Sequence, residues 1–528
     1  MKFSFSNRQY FLDQLLSEEF DVLIIGGGVT GAGALLDAQS RGMKACLVEM
    51  QDFSQGTSSR STKLIHGGLR YLKQGDLRLV AEVGKERNTL YKNAPHLTQP
   101  TEVIIPFVVG GSMGKFSAKL AMIAYEFLAN VESKFKHKIL RKRDVITLVP
   151  SIKKDGLLGG VIYFEYKTND SRLVLENLKK AVSLGAIALN YTKVLGFEYT
   201  QNAISAVNVL DVLTGREIRI RTKTCVSAVG PWTDGIMQLD NAKAPNKVVL
   251  TKGVHIVLSK SVFSLENAVY FEVGDGRMVF AIPKFDNVYV GTTDTFYTAD
   301  KTNPSIDLED VNYLLNALNK NFEHANLYVK DVKGAWAGLR PLVLQEGKGE
   351  GEISRKDEIF ETDSNLIAIA GGKLTGYRKM AEKVVNLVQK RLEKQFEKCS
   401  SDKIKFLGFD SRPESEFIEF ALKNDLDQLS AERLYHWFGS QAYAVLDYEE
   451  VEGLPIFLGK SLSYCLENEM ICNPIDFLIH RTQVAYFDFE LSFFYLDAVY
   501  TFLESKGVVL DKKSTYLSYL LSLKSFKS

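Results

Sequence analysis

The feature that most constrains this chain is a glycine-rich turn near its start. The run Asp21-Val-Leu-Ile-Ile-Gly26-Gly27-Gly28-Val29-Thr30-Gly31 carries G-x-G-x-x-G spacing at Gly26, Gly28 and Gly31. Residues 21–25 read as a short apolar strand, 29–41 as a helix and 44–49 as a second strand, together a βαβ unit. A bare pattern of this kind is weak. Here it follows a strand, opens a helix and is answered by Glu49 at the end of the next strand, the context a dinucleotide site needs. Gly26 makes the tight turn, Gly28 lets a pyrophosphate approach the backbone, and Gly31 lets the helix pack on the sheet. The helix start, with Thr30, offers free N–H groups and partial positive charge to phosphate. Glu49 is placed to accept hydrogen bonds from ribose hydroxyls.

The rest of the composition narrows the class. With 528 residues, the chain buries a sizeable core without disulfide or metal staples. Hydrophobic residues at 45% and charged residues at 24% argue against disorder. Lys plus Arg (65) balances Asp plus Glu (64), so a dedicated nucleic-acid binder is not expected and phosphate recognition must be local. Five cysteines, an odd number with no CxxC pair, predict neither a disulfide framework nor a zinc site and fit a reducing cytosol. There is no HExxH and no calcium-loop pattern, so no metal is predicted. Residues 1–20 lack a long apolar core and carry Asp13, Glu18 and Glu19, unlike a signal peptide. No run approaches the length of a membrane-spanning helix.

Glycine thins out along the chain: only five of 39 lie after position 400. The charged stretch 390–405 reads as a boundary, and 405–528 as a small helical domain with apolar faces at 414–424, 430–446, 474–487 and 491–503. Asn473 is the predicted cap of a helix beginning at Pro474. Before the boundary, further strands read at 224–229, 253–258, 278–283, 288–292 and 366–370.

Three later segments extend the first motif. Residues 57–68 (Thr57, Ser58, Ser59, Arg60, Ser61, Thr62, Lys63, Leu64, Ile65, His66, Gly67, Gly68) form a hydroxyl-rich loop running into a glycine pair, suited to an extended cofactor threading inward. The strand from Cys225 ends in a turn at Gly230. The strand 366–370 leads to Gly371-Gly372-Lys373-Leu374-Thr375-Gly376, a second glycine-rich helix start whose dipole would stabilise negative charge on a flavin N1–C2=O edge.

With DVLIIGGGVTGAG, TSSRSTKLIHGGLRYL, VGPWTD, KGVHIVL, VGTTDT, WAGLRPL, ISRKDEIF and IAGGKLTGYRKMAE in this order, the chain resembles the FAD-dependent glycerol-3-phosphate dehydrogenases of the glycine oxidase and D-amino acid oxidase fold group. The resemblance implies an α/β fold. A Rossmann-like FAD-binding domain (about 18–110, 155–235, 350–395) would be interleaved with an antiparallel-sheet substrate domain (mainly 111–154, 236–349), both within 1–395. An all-α C-terminal domain would follow over 405–528. It implies FAD as cofactor, held by Gly26, Gly28, Thr30, Gly31, Glu49, Thr57, Ser58, Ser61, Lys63, Leu64, Gly67, Gly68, Gly230, Gly372, Lys373, Leu374 and Thr375. The implied reaction is oxidation of sn-glycerol 3-phosphate to dihydroxyacetone phosphate by hydride transfer to FAD. A membrane quinone takes the electrons, the protein sits in the cytoplasm on the inner face of the cell membrane, and a homodimer is left open. Two other readings stand beside it: an oxidase releasing hydrogen peroxide, and a flavoprotein whose FAD is structural and whose tail is an interaction module.

A doubly charged phosphate calls for arginine forks. By resemblance Arg70, Tyr71 and Arg355 lie on the phosphate side and Arg340 nearer the reacting carbon. Arg340 sits among Trp336, Ala337, Leu339 and Pro341, so it is predicted to be buried and in need of a substrate anion. His66 and His255 are the candidate bases, with Lys373 able to orient the hydroxyl or stabilise reduced flavin. The segment 112–138 is apolar on one side and basic at its ends, suiting either an interfacial helix or an ordinary core helix.

Overall fold

The computed structural model describes residues 2–68, 76–112, 114–344, 353–354 and 357–527, with backbone alone at 115–117, 353–354 and 527. A six-stranded sheet runs in the order Glu358–Glu361, Leu366–Ala370, Cys225–Ser227, Val22–Ile25, Ala45–Val48, Ile187–Leu189. All its pairings are parallel except that of Glu358–Glu361. Its central strands are buried at every residue, which is why they read as unbroken apolar runs rather than alternating ones. The helix Val29–Ser40 packs against Asp170–Ser183 and Tyr377–Leu392 on this sheet.

An eleven-stranded sheet forms the other half. It is antiparallel except where Ala268–Glu272 meets Thr98–Val108. Thr98–Val108 and Leu157–Thr168, assigned to the FAD-binding part, pair with each other over their length inside this sheet. The meander Thr192–Thr200, Ala203–Asp211, Arg216–Thr222 makes a separate small sheet with Glu19–Phe20. Strand periodicity reports burial along one segment and is silent on which distant segment it pairs with.

The C-terminal part is helical. Where one helix is predicted over 430–446, Gln428–Phe438 ends at Gly439 (φ +57) and a short helix, Ala442–Val445, follows. Where one is predicted over 474–487, a π-helical turn, Asp476–Arg481, is separated from Val484–Phe487 by Gln483 at φ +64. Asn473 does cap the start, its side chain accepting from Ile475 and Asp476 N–H. Ile456–Asn468 and Lys513–Lys524 are helices the apolar pattern did not single out. The last strand, Phe526–Lys527, leaves the helices and pairs with Ile306–Asp307.

Buried charges lock the helical part onto the helix Asp170–Ser183 and the loop after Ala45–Val48. Glu469 accepts a two-pronged contact from Arg172 (2.6 and 2.7 Å) and a third from Lys179 (3.0 Å). Asp52 accepts from Arg481 at 2.6 Å. Such pairs are costly to bury but costlier to break, so they define one docking geometry.

Candidate active site

The glycine turn is built as its sequence requires. Gly26 has φ +107, and a Cβ there would stand 2.7 Å from the Ala228 carbonyl oxygen. A Cβ on Gly31 would stand 1.9 Å from the Gly26 oxygen, so the helix touches the turn backbone to backbone. Glu49 braces the turn, accepting the Gly27 N–H at 2.6 Å and the Gln51 N–H at 2.9 Å. Ser58 accepts the Val29 N–H at 2.9 Å. Above them lies a cavity of about 480 Å³, lined by Gly26, Gly28, Thr30, Glu49, Ser58 and Gly230 among others.

A second chamber of about 530 Å³ is lined by Leu64, His66, Gly68, His255, Arg340 and Lys373 among others. Thr57, Ser61, Gly372, Lys373 and Leu374 line both, so the two lobes meet. The first lobe ends at the fingerprint helix start, and the second glycine-rich turn lies where the two lobes meet. The elongated space fits a dinucleotide carrying a large ring at its far end.

Four expected cofactor residues line neither lobe. Gly31 acts through packing alone. Lys63 is fully buried, pairing with Asp170 at 2.8 Å and donating to the Ser59 carbonyl at 2.7 Å. Gly67 donates its N–H to Glu165, and the Thr375 hydroxyl donates to the His66 carbonyl. The last three hold the loops that form the chamber wall; side-chain direction in a loop depends on distant partners that spacing does not reveal.

His255 and Trp336 are cross-strand partners and stack at 4.9 Å between centroids. His255 Nε2 lies 3.0 Å from Thr62 Oγ1. A Cβ on Gly291 would stand 2.1 Å from this ring, so glycine there makes room for it. Burial, with Arg340 and Lys63 nearby, pushes the His255 pKa well below its usual range. His66 is pushed down to about 3, by burial first and then by Lys373 and Arg87. Both imidazoles are therefore neutral in the folded chain.

The expectation for Arg340 is corrected. It is half-buried, and Asp294 already supplies an anion at 3.0 Å. Its Nη2 donates to Thr292 Oγ1 at 3.0 Å, and both Nη atoms reach the Thr293 carbonyl. The loop after Asn287–Gly291 brings these partners across from another strand, out of reach of local sequence. Arg70, Tyr71 and Arg355, expected on the phosphate side, lie outside the described residues. Sequence reasoning missed Thr62, Asp294 and the buried pair Arg87–Glu165 against the chamber. A lone charge in Phe164-Glu165-Tyr166 is the one signal that could have found the last.

Among the described residues one group, Asp52, Asp476 and His480, has the spacing of a metal site. Arg481 already forks onto Asp52, and Asp476 accepts from the Tyr191 hydroxyl and the Cys472 N–H. A guanidinium thus fills the place a cation would take.

Residues 21–377 match the family model described as FAD dependent oxidoreductase, and residues 399–507 that of the C-terminal domain of alpha-glycerophosphate oxidase. The aerobic glycerol-3-phosphate dehydrogenase of Staphylococcus haemolyticus is 45% identical over 517 residues, covering 94% of this chain and 93% of that one. The structure of the glycerol-3-phosphate dehydrogenase from Bacillus halodurans complexed with FAD has a TM-score of 0.84 at 37% identity, covering 99% of each chain. The L-alpha-glycerophosphate oxidase of Mycoplasma pneumoniae shares the fold, with a TM-score of 0.56 at 18% identity over 74% of this chain and 99% of that one. A dinucleotide-shaped cavity, the family models and relatives matched end to end agree: this chain belongs to the aerobic glycerol-3-phosphate dehydrogenase family of FAD-dependent oxidoreductases, and its cofactor is FAD.

Proposed function

We propose that this protein oxidises sn-glycerol 3-phosphate to dihydroxyacetone phosphate and passes the electrons to a membrane quinone. The observation that carries this reading is the convergence of neutral His255 with the cations Arg340 and Lys373 on the walls of one chamber. Bound FAD supplies the acceptor for the hydride that leaves carbon 2. His255 takes the hydroxyl proton, and Thr62 holds its ring in place. Arg340, its fork fixed by Thr292, Thr293 and Asp294, steadies the negative charge that passes through the substrate oxygen. Lys373 orients the hydroxyl, and His66 offers a second neutral imidazole. Arg70, Tyr71 and Arg355 take the phosphate, as arginine forks do.

The membrane part rests on the helix Lys115–Leu128. It buries Ala118, Met122 and Tyr125 but turns Leu120, Ile123 and Phe127 outward, at 63%, 48% and 85% exposure. Lys119 on the same helix, and Lys134, Lys136 and Lys138 in the segment that follows it, are exposed. An apolar stripe with a basic border suits an anionic bilayer surface, the site of a quinone pool on the inner face of the cell membrane. Among the described residues no helix is long and apolar enough to cross a membrane.

The test is direct. Anaerobic glycerol 3-phosphate should bleach the yellow holoenzyme, and a short-chain quinone should restore the colour faster than air does. Rapid recolouring in air with peroxide release would make it an oxidase; no bleaching with any polyol phosphate would make the FAD structural.

A further inference from the structure

One buried ion pair borders the chamber without a part in the chemistry above. Glu165, in the strand Leu157–Thr168, is buried and lines the chamber wall with His66 and Lys373. Its Oε2 accepts the Gly67 N–H at 3.0 Å and Arg87 Nη1 at 3.3 Å. Arg87 comes from the helix Leu77–Asn93 and is equally buried. It donates to the Tyr125 hydroxyl at 2.7 Å and to the Phe164 carbonyl at 3.2 Å. That hydroxyl occupies the place of a missing Cβ, since one built on Gly67 would stand 1.7 Å from it. The segment His66–Gly67–Gly68 is thus pinned from behind by one network. Glu165 faces the chamber, while Arg87 stands behind it and lines neither lobe. An apolar pair would fill the same space at lower desolvation cost, so the charges call for a role beyond packing.

We propose that Glu165, backed by Arg87, is a positioning residue that fixes the Gly67 amide and whose negative charge offsets Lys373, setting how readily the bound FAD is reduced. Burial raises the Glu165 pKa, while Arg87, the Gly67 amide and Lys373 pull it back. Against that burial, the Gly67 N–H at 3.0 Å and the Arg87 guanidinium at 3.3 Å favour its carboxylate form. The proposal rests on the cofactor alone, and no readout below uses glycerol 3-phosphate, so it stands or falls separately from the proposed reaction.

The experiment measures the midpoint potential of the holoenzyme against reference dyes, and its sulfite dissociation constant, since sulfite addition puts negative charge on the flavin. Glu165→Gln keeps an acceptor for Gly67 but drops the charge and bares Arg87. Reduction should become about tenfold more favourable, ~30 mV for a two-electron couple, with sulfite bound more tightly to the same degree. Glu165→Asp keeps the charge and should stay within about threefold of wild type. Adding Arg87→Met to Glu165→Gln should bring the potential part of the way back. A Glu165→Gln potential within about threefold of wild type, or an equal shift in Glu165→Asp, overturns the proposal. Where Glu165→Gln does not retain FAD, the double variant against Glu165→Asp decides. A positive shift of about threefold or more upholds the proposal, and a smaller one overturns it.

Discussion

Replacing Arg340 by alanine tests the proposed chamber most sharply. Its guanidinium is held by Asp294, Thr292 and the Thr293 carbonyl, and lies over Gly253, where a Cβ would stand 2.3 Å from Nη2. Truncation removes a preorganised cation from the position where the alkoxide charge develops. Loss of such a donor lowers kcat/KM by roughly 10²-fold or more, about 3 kcal/mol. It also removes the Arg340 charge from beside Asp294, whose carboxylate then weighs more against an anionic substrate. Asp294 is 30% exposed, so solvent screens much of that second effect. Arg340→Lys should recover only part of the rate, because a point charge lacks the fork. If Asp294 serves only to aim Arg340, Asp294→Asn should cost nothing further once Arg340 is gone, a non-additive pair. The assay is anaerobic single-turnover flavin reduction alongside steady-state turnover with a dye acceptor, after the visible FAD spectrum is seen to be unchanged. Flavin reduction within about threefold of wild type in Arg340→Ala would make Arg340 a scaffold for Asp294 and refute the chamber assignment.

Gly28→Val should give a folded but colourless protein. Gly28 has φ −78, and a Cβ meets only Ser58 Oγ at 3.2 Å, so the bulk lands where the pyrophosphate must come; a yellow, stoichiometrically loaded variant would remove the assignment. The detergent-free protein should pellet with anionic vesicles, less so in high salt or with Phe127→Ser; equal pelleting with neutral and anionic vesicles would contradict that surface. Glu469→Gln leaves Arg172 and Lys179 buried without their carboxylate and should lower unfolding stability by ~3–5 kcal/mol in urea titration; a loss below ~1 kcal/mol would show the network to be dispensable. Burial pushes His66 to about 3, His96 to about 4 and His255 well below its usual range. The unfolded chain binds protons on these rings near pH 6.5 and the native chain does not, so stability holds above that pH and falls below it, by ~1.4 kcal/mol per pH unit for each ring. A urea midpoint unchanged down to about pH 5 would refute their burial as neutral groups.

What the sequence determined by itself was the chemistry that lives within one short segment. Gly26, Gly28 and Gly31 need only their own turn and helix to be read, and Glu49 arrives one strand later. The second glycine-rich turn was legible for the same reason, and so was the helical character of the tail. Tertiary structure decided everything that joins distant segments. Arg340 finds Asp294 across a loop, Glu165 finds Gly67 and Arg87 on two other elements, and Lys63 turns inward to Asp170. It also decided that Thr98–Val108 and Leu157–Thr168 belong to the large sheet, and that Gly439 and Gln483 interrupt helices that periodicity runs together. The physical reason is common to these cases. Periodicity and local motifs record how a segment folds and which face it buries, whereas the partner of a charge or a strand is set by packing of the whole chain, which local spacing does not encode.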